Sequence, residues 1–258
     1  MRVAALYDIH GNLPALEAVL TEVNKIGIDQ IVVGGDVLPG PMPNETLKRL
    51  MHLDLPVHFI HGNGELAILE QITALKTGSA ITYWGTTSGK PPPEADQEIY
   101  QWTARQLEPE SASEISSWQK TFQLEIEGLG TVLFCHATPR SETELFTRLT
   151  PEDHLIPLFE NLTVAVVICG HTHMQFDRQI GNTRVVNAGS VGESFGDPGA
   201  YWALLGPDIQ LKHTSYNLDL AVQQILATSH PQAQAVAQGA IHPPSEEDVL
   251  EIFRKAEL

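Results

Sequence analysis

Residues 3–12 read VAALYDIHGN, an apolar run that ends at an aspartate and a histidine two positions apart. The run is short and carries no charge before Asp8, which is typical of a buried strand. Side chains two residues apart in an extended chain project to the same side, so Asp8 and His10 can face one ligand. A single D-x-H is a common accident, so its meaning depends on the residues at the ends of the later strands.

The first part of the chain alternates between apolar strands and amphipathic helices. After the opening strand, a helix is predicted with Asn12 as its cap and Gly27 as its end. QIVVGGD (residues 30–36) is predicted to be the second strand, followed by a helix from Asn44, and PVHFIHGN (residues 56–63) the third strand. This alternation predicts parallel strand–helix–strand units.

The alternation of strands and helices stops in the middle of the chain. Residues 66–121 show no strand pattern and are predicted to form a helical insertion near the active site, with a break near Pro109. Strands then return as a pair around residues 128–130, followed by hairpins at residues 181–182 and 206–207.

The tail is predicted to be helical again. One helix is predicted over residues 218–229 and another from Ser245, with a loop between them. Together these patterns predict an α/β fold in which residues 1–258 form a single domain.

Composition limits the partners of this protein. The net charge of −17 repels nucleic-acid polymers and anionic membranes. No apolar run approaches the length of a membrane span, and the N-terminal residues lack the apolar core of a signal peptide. Cys135 and Cys169 each end an apolar run, which indicates buried, reduced thiols. We therefore expect a cytoplasmic protein.

Polar residues suited to metal binding recur at the strand ends. The candidates are Asp8, His10, Asp36, Asn63, His136, His171 and His173. In an open parallel sheet the ligand site lies at the carboxyl ends of the strands, so these side chains are expected at one edge. Oxygen and imidazole ligands together suit Mn, Fe, Zn, Co or Ni. Seven ligands are too many for one tetrahedral ion and predict two ions sharing a bridge.

Five short motifs resemble those of a known family. In order they are D-I-H-G-N, G-G-D, G-N-G-E, H-A-T-P-R and G-H-T-H, and they resemble the motifs of the calcineurin-like metallophosphoesterases. The resemblance extends from Met1 to about Leu205 and points to the small bacterial and archaeal phosphodiesterase branch, which NAGSVG (residues 187–192) also resembles. It implies a two-sheet β sandwich flanked by helices.

The resemblance also implies how the seven residues share two metal ions. The first ion would be bound by Asp8, His10 and His173, the second by Asn63, His136 and His171, and the bridge would be Asp36. A water bridging two divalent ions becomes hydroxide near neutral pH and attacks phosphorus without a protein nucleophile.

Two further residues are catalytic candidates. Asn12 can cap its helix, contact the phosphate, or do both. Arg140, in H-A-T-P-R, can bind a phosphate oxygen or form an ion pair.

Departures from the family pattern narrow the reaction. Protein serine/threonine phosphatases of the superfamily carry arginines after G-D, where this chain reads GDVLPGPMPNE. Purple acid phosphatases have a tyrosine at the position of Pro39. Many relatives read G-N-H-[DE] where this chain has Gly64, so the histidine that can protonate a leaving oxygen is absent. We therefore expect a steep dependence of rate on leaving-group pKa, which Gly64→His should flatten. The alternative is that His61, Glu65 or a residue of the insertion supplies the proton instead.

The sequence predicts a dinuclear metal-dependent phosphohydrolase, foremost a phosphodiesterase or a nucleotide phosphoanhydride hydrolase, with Mn as the first choice of metal. Its partner is expected to be a small phosphorylated substrate, and no indication of oligomeric state is found. Two alternatives stay open: a phosphomonoesterase, and a non-catalytic metal-binding scaffold, as in the retromer subunit with this fold. The seven filled ligand positions favour the enzyme.

Overall fold

Ten strands form two five-stranded sheets in residues 1–256, the part of the chain that the computed structural model describes. In chain order the strands are β1 (Val3–Leu6), β2 (Gln30–Val33), β3 (Val57–Phe59), β4 (Thr121–Ile126), β5 (Gly130–Cys135), β6 (Val166–Cys169), β7 (Phe176–Ile180), β8 (Thr183–Asn187), β9 (Ala200–Leu205) and β10 (Ile209–Thr214). The strand order is β10-β9-β1-β2-β3 in the first sheet and β4-β5-β6-β8-β7 in the second.

Helices connect and flank the strands. Over the same residues they are α1 (Leu13–Ile26), α2 (Pro43–Met51), α3 (Asn63–Thr77), α4 (Glu94–Gln106), α5 (Pro109–Ser116), α6 (Glu152–Phe159), α7 (Leu218–Leu226), α8 (Ala233–Ile241) and α9 (Glu246–Phe253). Across residues 1–256, no helix combines the length and the apolar character that crossing a membrane requires.

Both sheets mix parallel and antiparallel pairs. In the first sheet, β1 and β2 pair in parallel, as do β2 and β3, and in the second β6 pairs in parallel with β5 and β8. The pairs β4–β5, β7–β8 and β9–β10 are antiparallel. The predicted parallel units, the pair around residues 128–130 and the two hairpins are therefore confirmed.

The alternation of side chains in β1 shows how the layers are stacked. Val3, Ala5 and Tyr7 face the second sheet and pack with its inner residues, while Ala4 and Leu6 face α1 and α2 on the other side. A strand that is covered on both faces is apolar at every position, which explains the uninterrupted run in the sequence. The two sheets therefore form a β sandwich with helices outside, as predicted.

The second sheet is covered on its outer face by α6. Cys135 and Cys169 lie in this layer with Leu155 and Phe159 of α6, and both thiols are buried and free. Burial raises the pKa of both cysteines, so the thiols stay protonated near neutral pH. The expectation of two buried, reduced cysteines agrees with this packing.

Helix ends follow the local signals in several places. Asn12 accepts a hydrogen bond from the Ala15 amide at 3.2 Å at the start of α1, and Gly27 ends the helix in a left-handed conformation. Ser245 caps α9, as expected. In residues 66–121, α4 and α5 are separated directly before Pro109, and α4 packs on α2 and α3.

Three details differ from the sequence predictions. The segment predicted as a loop between the tail helices contains α8, which packs against α7. Helix α2 begins at Pro43 rather than Asn44, because proline fits the first helical position well. Helix α6 is not among the predicted helices, and Pro157 lies inside it.

Candidate metal centre

The seven predicted ligands lie at the carboxyl ends of strands from both sheets. Asp8 and His10 follow β1, and Asp36 follows β2. Asn63 is the first residue of α3, after β3. The remaining ligands follow β5 and β6; they are His136, His171 and His173. The sandwich therefore brings one edge of each sheet to the same place, which extends the single-sheet expectation to both sheets.

Backbone conformation marks the same residues. Within residues 1–256, the residues other than glycine with positive φ are Asp8, His10, Asp36, His171 and His173, with values from 46° to 68°. Left-handed backbone is uncommon for residues other than glycine, although Asp and His adopt it more readily than most, and it often occurs at functional sites. Hydrogen bonds from the Asp8 amide to the Gly35 carbonyl and from the His10 amide to the Asp36 carbonyl hold two of these turns.

The first group of ligand atoms contains two imidazoles and a carboxylate. His10 Nε2 and His173 Nε2 are 3.2 Å apart, and Asp8 Oδ1 lies 3.4 Å from His173 Nε2. The Nδ1 atoms of the two rings face backbone carbonyls, that of Pro39 for His10 and that of Glu193 for His173, at 3.3 and 2.8 Å. Carbonyl oxygens only accept, so each Nδ1 donates, and in the neutral rings each Nε2 then presents a lone pair that a cation can use.

The second group repeats this arrangement. His136 Nδ1 donates to the Gly34 carbonyl at 3.0 Å, which leaves Nε2 as an acceptor, 3.0 Å from Asn63 Oδ1. The Asn63 amide nitrogen is used by the Gly85 carbonyl, so its oxygen does face His136. The His171 ring lies 5.1 Å from that of His136, and its buried Nε2 has no hydrogen-bond partner. Burial, with a further effect of His136, lowers the pKa of His171 to about 3 and keeps this ring neutral.

The two aspartates lie between the groups. Asp36 Oδ2 is 3.9 Å from His10 Nε2 and 3.6 Å from His136 Nε2. Asp8 Oδ1 is 3.9 Å from His136 Nε2 and has no hydrogen-bond partner. Carboxylate and imidazole atoms of Asp8, Asp36 and His136 converge within 4.8 Å of one another, as do those of Asp8, His10 and His173.

Histidine is the only basic residue type that pairs with the buried aspartates among residues 1–256. Asp8 and Glu65 are completely buried and Asp36 nearly so, and no Lys or Arg of the described chain pairs with any of them. Burial raises the pKa of Asp36, and the Glu65 charge raises it further. Buried negative charge without a permanent cation is costly, so clustered carboxylates and imidazoles fit divalent cations.

Two glycines allow the backbone to approach the carboxylates. A Cβ at Gly62 would lie 2.2 Å from Asp36 Oδ1, and one at Gly170 would lie 2.4 Å from Asp8 Oδ2. Neither distance is compatible with a side chain. This explains the glycines that precede candidate ligands in G-N-G-E and G-H-T-H.

The two additional catalytic candidates have partners of their own. The Asn12 amide donates to the Gly192 carbonyl at 2.9 Å while its oxygen caps α1, so the capping alternative is confirmed. Arg140 donates to Glu144 at 2.6–2.7 Å, and its side chain is 59% exposed. Arg140 therefore forms the ion pair that was one of its two alternatives. Contact of Asn12 or Arg140 with phosphate stays a prediction, and so do the roles of the seven ligands.

The use of Gly64→His as a test, expected from the sequence, needs correction. A Cβ at this position would lie 2.1 Å from the Leu38 carbonyl oxygen and 3.0 Å from Asp36 Oδ1. Gly64→His would therefore displace backbone next to Asp36 and cannot serve as a clean test of a missing acid.

Two residues of the site were not found from the sequence. The Glu65 carboxylate accepts hydrogen bonds from the backbone amides of Asp36, Leu38 and Gly62 and so fixes two ligand loops. The Tyr83 hydroxyl is buried without a partner, and its pKa is raised by burial and by the charges of Glu142 and Asp36. The G-N-G-E motif signals Glu65, whereas no local pattern signals Tyr83.

Known proteins share both the sequence pattern and the fold. A curated relative, MJ0912 of Methanocaldococcus jannaschii, is 28% identical over 177 residues, which are 67% of this chain and 63% of that protein. The matched region thus spans less than two thirds of that relative.

Two solved structures are similar over nearly the whole chain. A metallophosphoesterase from Sphaerobacter thermophilus is 22% identical with a TM-score of 0.66, covering 92% of this chain and 100% of that one. PH1004 from Pyrococcus horikoshii OT3 is 19% identical with a TM-score of 0.73, covering 95% and 99%. At these identities the likeness shows the fold alone. The family follows from the sequence model of the calcineurin-like phosphoesterase superfamily domain, which matches residues 1–210: the chain belongs to that superfamily.

Proposed function

We propose that this protein is a dinuclear metal-dependent phosphohydrolase that cleaves phosphodiesters or the phosphoanhydrides of small nucleotides. One observation carries the proposal: potential metal-ligand atoms face one another at 3.0–3.2 Å in both ligand groups. Two such atoms repel each other at this distance unless a proton or a cation lies between them, so neutral imidazoles here are suited to share a cation. Family membership supports phosphoester hydrolysis as the reaction.

The ligands divide between two divalent ions, with Mn as the first choice and Fe, Zn, Ni or Co as alternatives. The first set is Asp8, His10 and His173; the second set is Asn63, His136 and His171; Asp36 belongs to both. When bound, such ions acidify a water molecule and stabilise charge on the phosphoryl oxygens. The carbonyls that accept from the imidazole Nδ1 atoms orient the rings before any ion arrives.

The surroundings select a small substrate. The chain carries a net charge of −17, so attraction for a phosphate is confined to the metal centre. We propose that the helical segment 66–121 borders this substrate, because Tyr83 belongs to it and the Asp36 charge contributes to the raised pKa of Tyr83.

Buried free thiols fit a reducing compartment, and a cytoplasmic location is proposed on that ground.

The leaving group distinguishes the reaction types. Gly64 has no side chain to protonate a leaving oxygen, so diesters and anhydrides with leaving groups of low pKa should react fastest. General acid catalysis contributes about 10²–10⁴ in rate, so esters with alkyl leaving groups should react slowly without it. A series of aryl and alkyl phosphodiesters would show this as a steep fall of turnover with leaving-group pKa. A flat series, with chemistry rate-limiting, would contradict the absence of an acid.

The function is tested by reloading EDTA-treated protein with each of the five metals. Each form is assayed against a phosphomonoester, a diester, a cyclic nucleotide and a dinucleoside polyphosphate. We expect two ions per chain and the highest turnover on a diester or anhydride. Preference for the monoester would identify a phosphomonoesterase. Two bound ions with no turnover of any class would identify a metal-binding scaffold instead.

A further inference from the structure

A cavity of about 240 Å³ lies beside the candidate metal centre. One wall is the segment of residues 192–195, and the opposite wall is the face of α8 that carries Ala235, Val236 and Gly239. The superfamily match ends at residue 210, so α8 lies outside the matched domain.

Three contacts join the cavity wall to the metal centre. The Phe195 ring stacks on the His173 ring with centroids 5.5 Å apart, and the Glu193 carbonyl accepts from His173 Nδ1 at 2.8 Å. The Asn12 amide, next to the first ligand motif, lies 3.3 Å from the hydroxyl of Tyr216, which also lines the cavity. The cavity wall therefore touches a candidate metal ligand, so a substrate phosphate at the metals would lie next to this space.

The lining defines the chemistry of the occupant. Phe195 and Tyr216 offer aromatic surface, while Gln232 and Glu193 offer hydrogen-bonding groups. Within the described chain, no Lys, Arg or His lines this cavity, so a second phosphate has no partner here. The volume is below the roughly 300–1,000 Å³ of sites that enclose drug-sized ligands, which fits one organic group rather than a whole dinucleotide.

We propose that this cavity, termed the nucleoside cavity, binds the nucleoside part of a nucleotide substrate whose phosphate lies at the metal centre. The aromatic rings stack on the base, and Glu193 and Gln232 accept hydrogen bonds from an N–H group of the base or from a hydroxyl of the sugar. This assignment rests on the proposed phosphohydrolase function. Substrate choice thus resides in the tail of the chain, whereas the chemistry resides in the superfamily domain.

A matched pair of substrates tests the assignment: the 4-nitrophenyl ester of thymidine 5′-monophosphate and 4-nitrophenyl methyl phosphate. Their leaving group is the same, so the ratio of their kcat/KM values reports on the nucleoside. A Cβ at Gly239 meets no atom within 4 Å, so Gly239→Phe can fill the cavity, and Ala240→Leu is a second filling variant. Gln238→Phe, on the exposed part of the same helix, is the control.

We expect the wild type and Gln238→Phe to prefer the nucleoside ester by at least about 10-fold, the order that pocket contacts contribute to specificity. Both filling variants should lose most of this preference. No preference in the wild type, or an equal preference in all variants, would overturn the assignment.

Binding measurements separate failure of the cavity from failure of the proposed function. If neither ester is hydrolysed with any metal, the phosphohydrolase proposal fails, and saturation-transfer NMR with adenosine and thymidine still tests the cavity. Signals that are present in the wild type and Gln238→Phe but lost in Gly239→Phe would support it. Absence of both signals in the wild type, or equal signals in the wild type and Gly239→Phe, would overturn it.

Discussion

The metal centre and the nucleoside cavity are adjacent, but they are built in opposite ways. Most candidate ligands of the metal centre are buried, five of the seven have left-handed backbone, and three of the imidazoles are oriented by hydrogen bonds to the main chain. The cavity is formed by small side chains along one face of α8 and by a segment of loop. Reaction chemistry requires fixed positions, whereas substrate selection can vary through side-chain volume alone.

The largest expected effect is on Asp36, the proposed bridging carboxylate. Asp36→Asn keeps the volume of the side chain but removes the charge that both ions would share, so hydrolysis should be abolished and bound metal reduced. The apolar strands should keep the fold intact. Turnover, metal content and circular dichroism measure these three outcomes.

The matched control for Asp36→Asn is Asp54→Asn, which removes the same charge from an exposed position. It should leave turnover and metal content unchanged. Near-normal turnover in Asp36→Asn would show that the metal centre tolerates substitution. It would therefore contradict the contrast between a fixed metal centre and a variable cavity.

A second change breaks the rigid support of the metal centre. Glu65→Ala leaves three buried backbone amides without an acceptor, so the free energy of unfolding should fall by about 3 kcal/mol or more. Glu17→Ala is the control, because Glu17 pairs with Arg49 at the surface and should cost less than about 1 kcal/mol. Urea unfolding with and without Mn measures the free energy of unfolding of both variants. Equal losses would show that Glu65 stabilises the protein no more than a surface carboxylate does.

A third change addresses the unpartnered hydroxyl near Asp36. Tyr83→Phe should not lower stability, because this hydroxyl makes no hydrogen bond in the protein. If it donates to the substrate phosphate, kcat/KM should fall by about 10- to 100-fold for every leaving group, the value of one hydrogen bond to a charged group. A larger fall restricted to leaving groups of high pKa would identify Tyr83 as the proton donor instead. An unchanged kcat/KM would contradict any contact with substrate.

The smallest effect is expected at Arg140. This residue reaches a substrate only when its exposed pair with Glu144 opens, and such pairs contribute less than about 1 kcal/mol. Arg140→Ala should therefore raise KM a few-fold without changing metal content, and Glu144→Gln, which frees the guanidinium, should lower KM. Identical KM values in both variants would show that Arg140 only forms the ion pair.

The sequence by itself determined the strands of the sandwich and the candidate ligands. Short apolar runs identify buried strands, and the polar residue types that end them are visible locally. The cap at Asn12, the end at Gly27 and the break before Pro109 were also predictable, because they depend on a few neighbouring residues.

Only the tertiary structure decided the features of the fold and the site that depend on contacts between residues far apart in the chain. Helix α8 reads AQAVAQGAI, a sequence of small residues with an internal glycine, and its one buried residue, Ala237, packs with Met42 and Ile225. Local propensity is too weak to predict such a helix, since burial against remote residues stabilises it. The same holds for Tyr83, which a long connection places near Asp36, and for Gly64, whose freedom is limited by the carbonyl of Leu38 on a different loop.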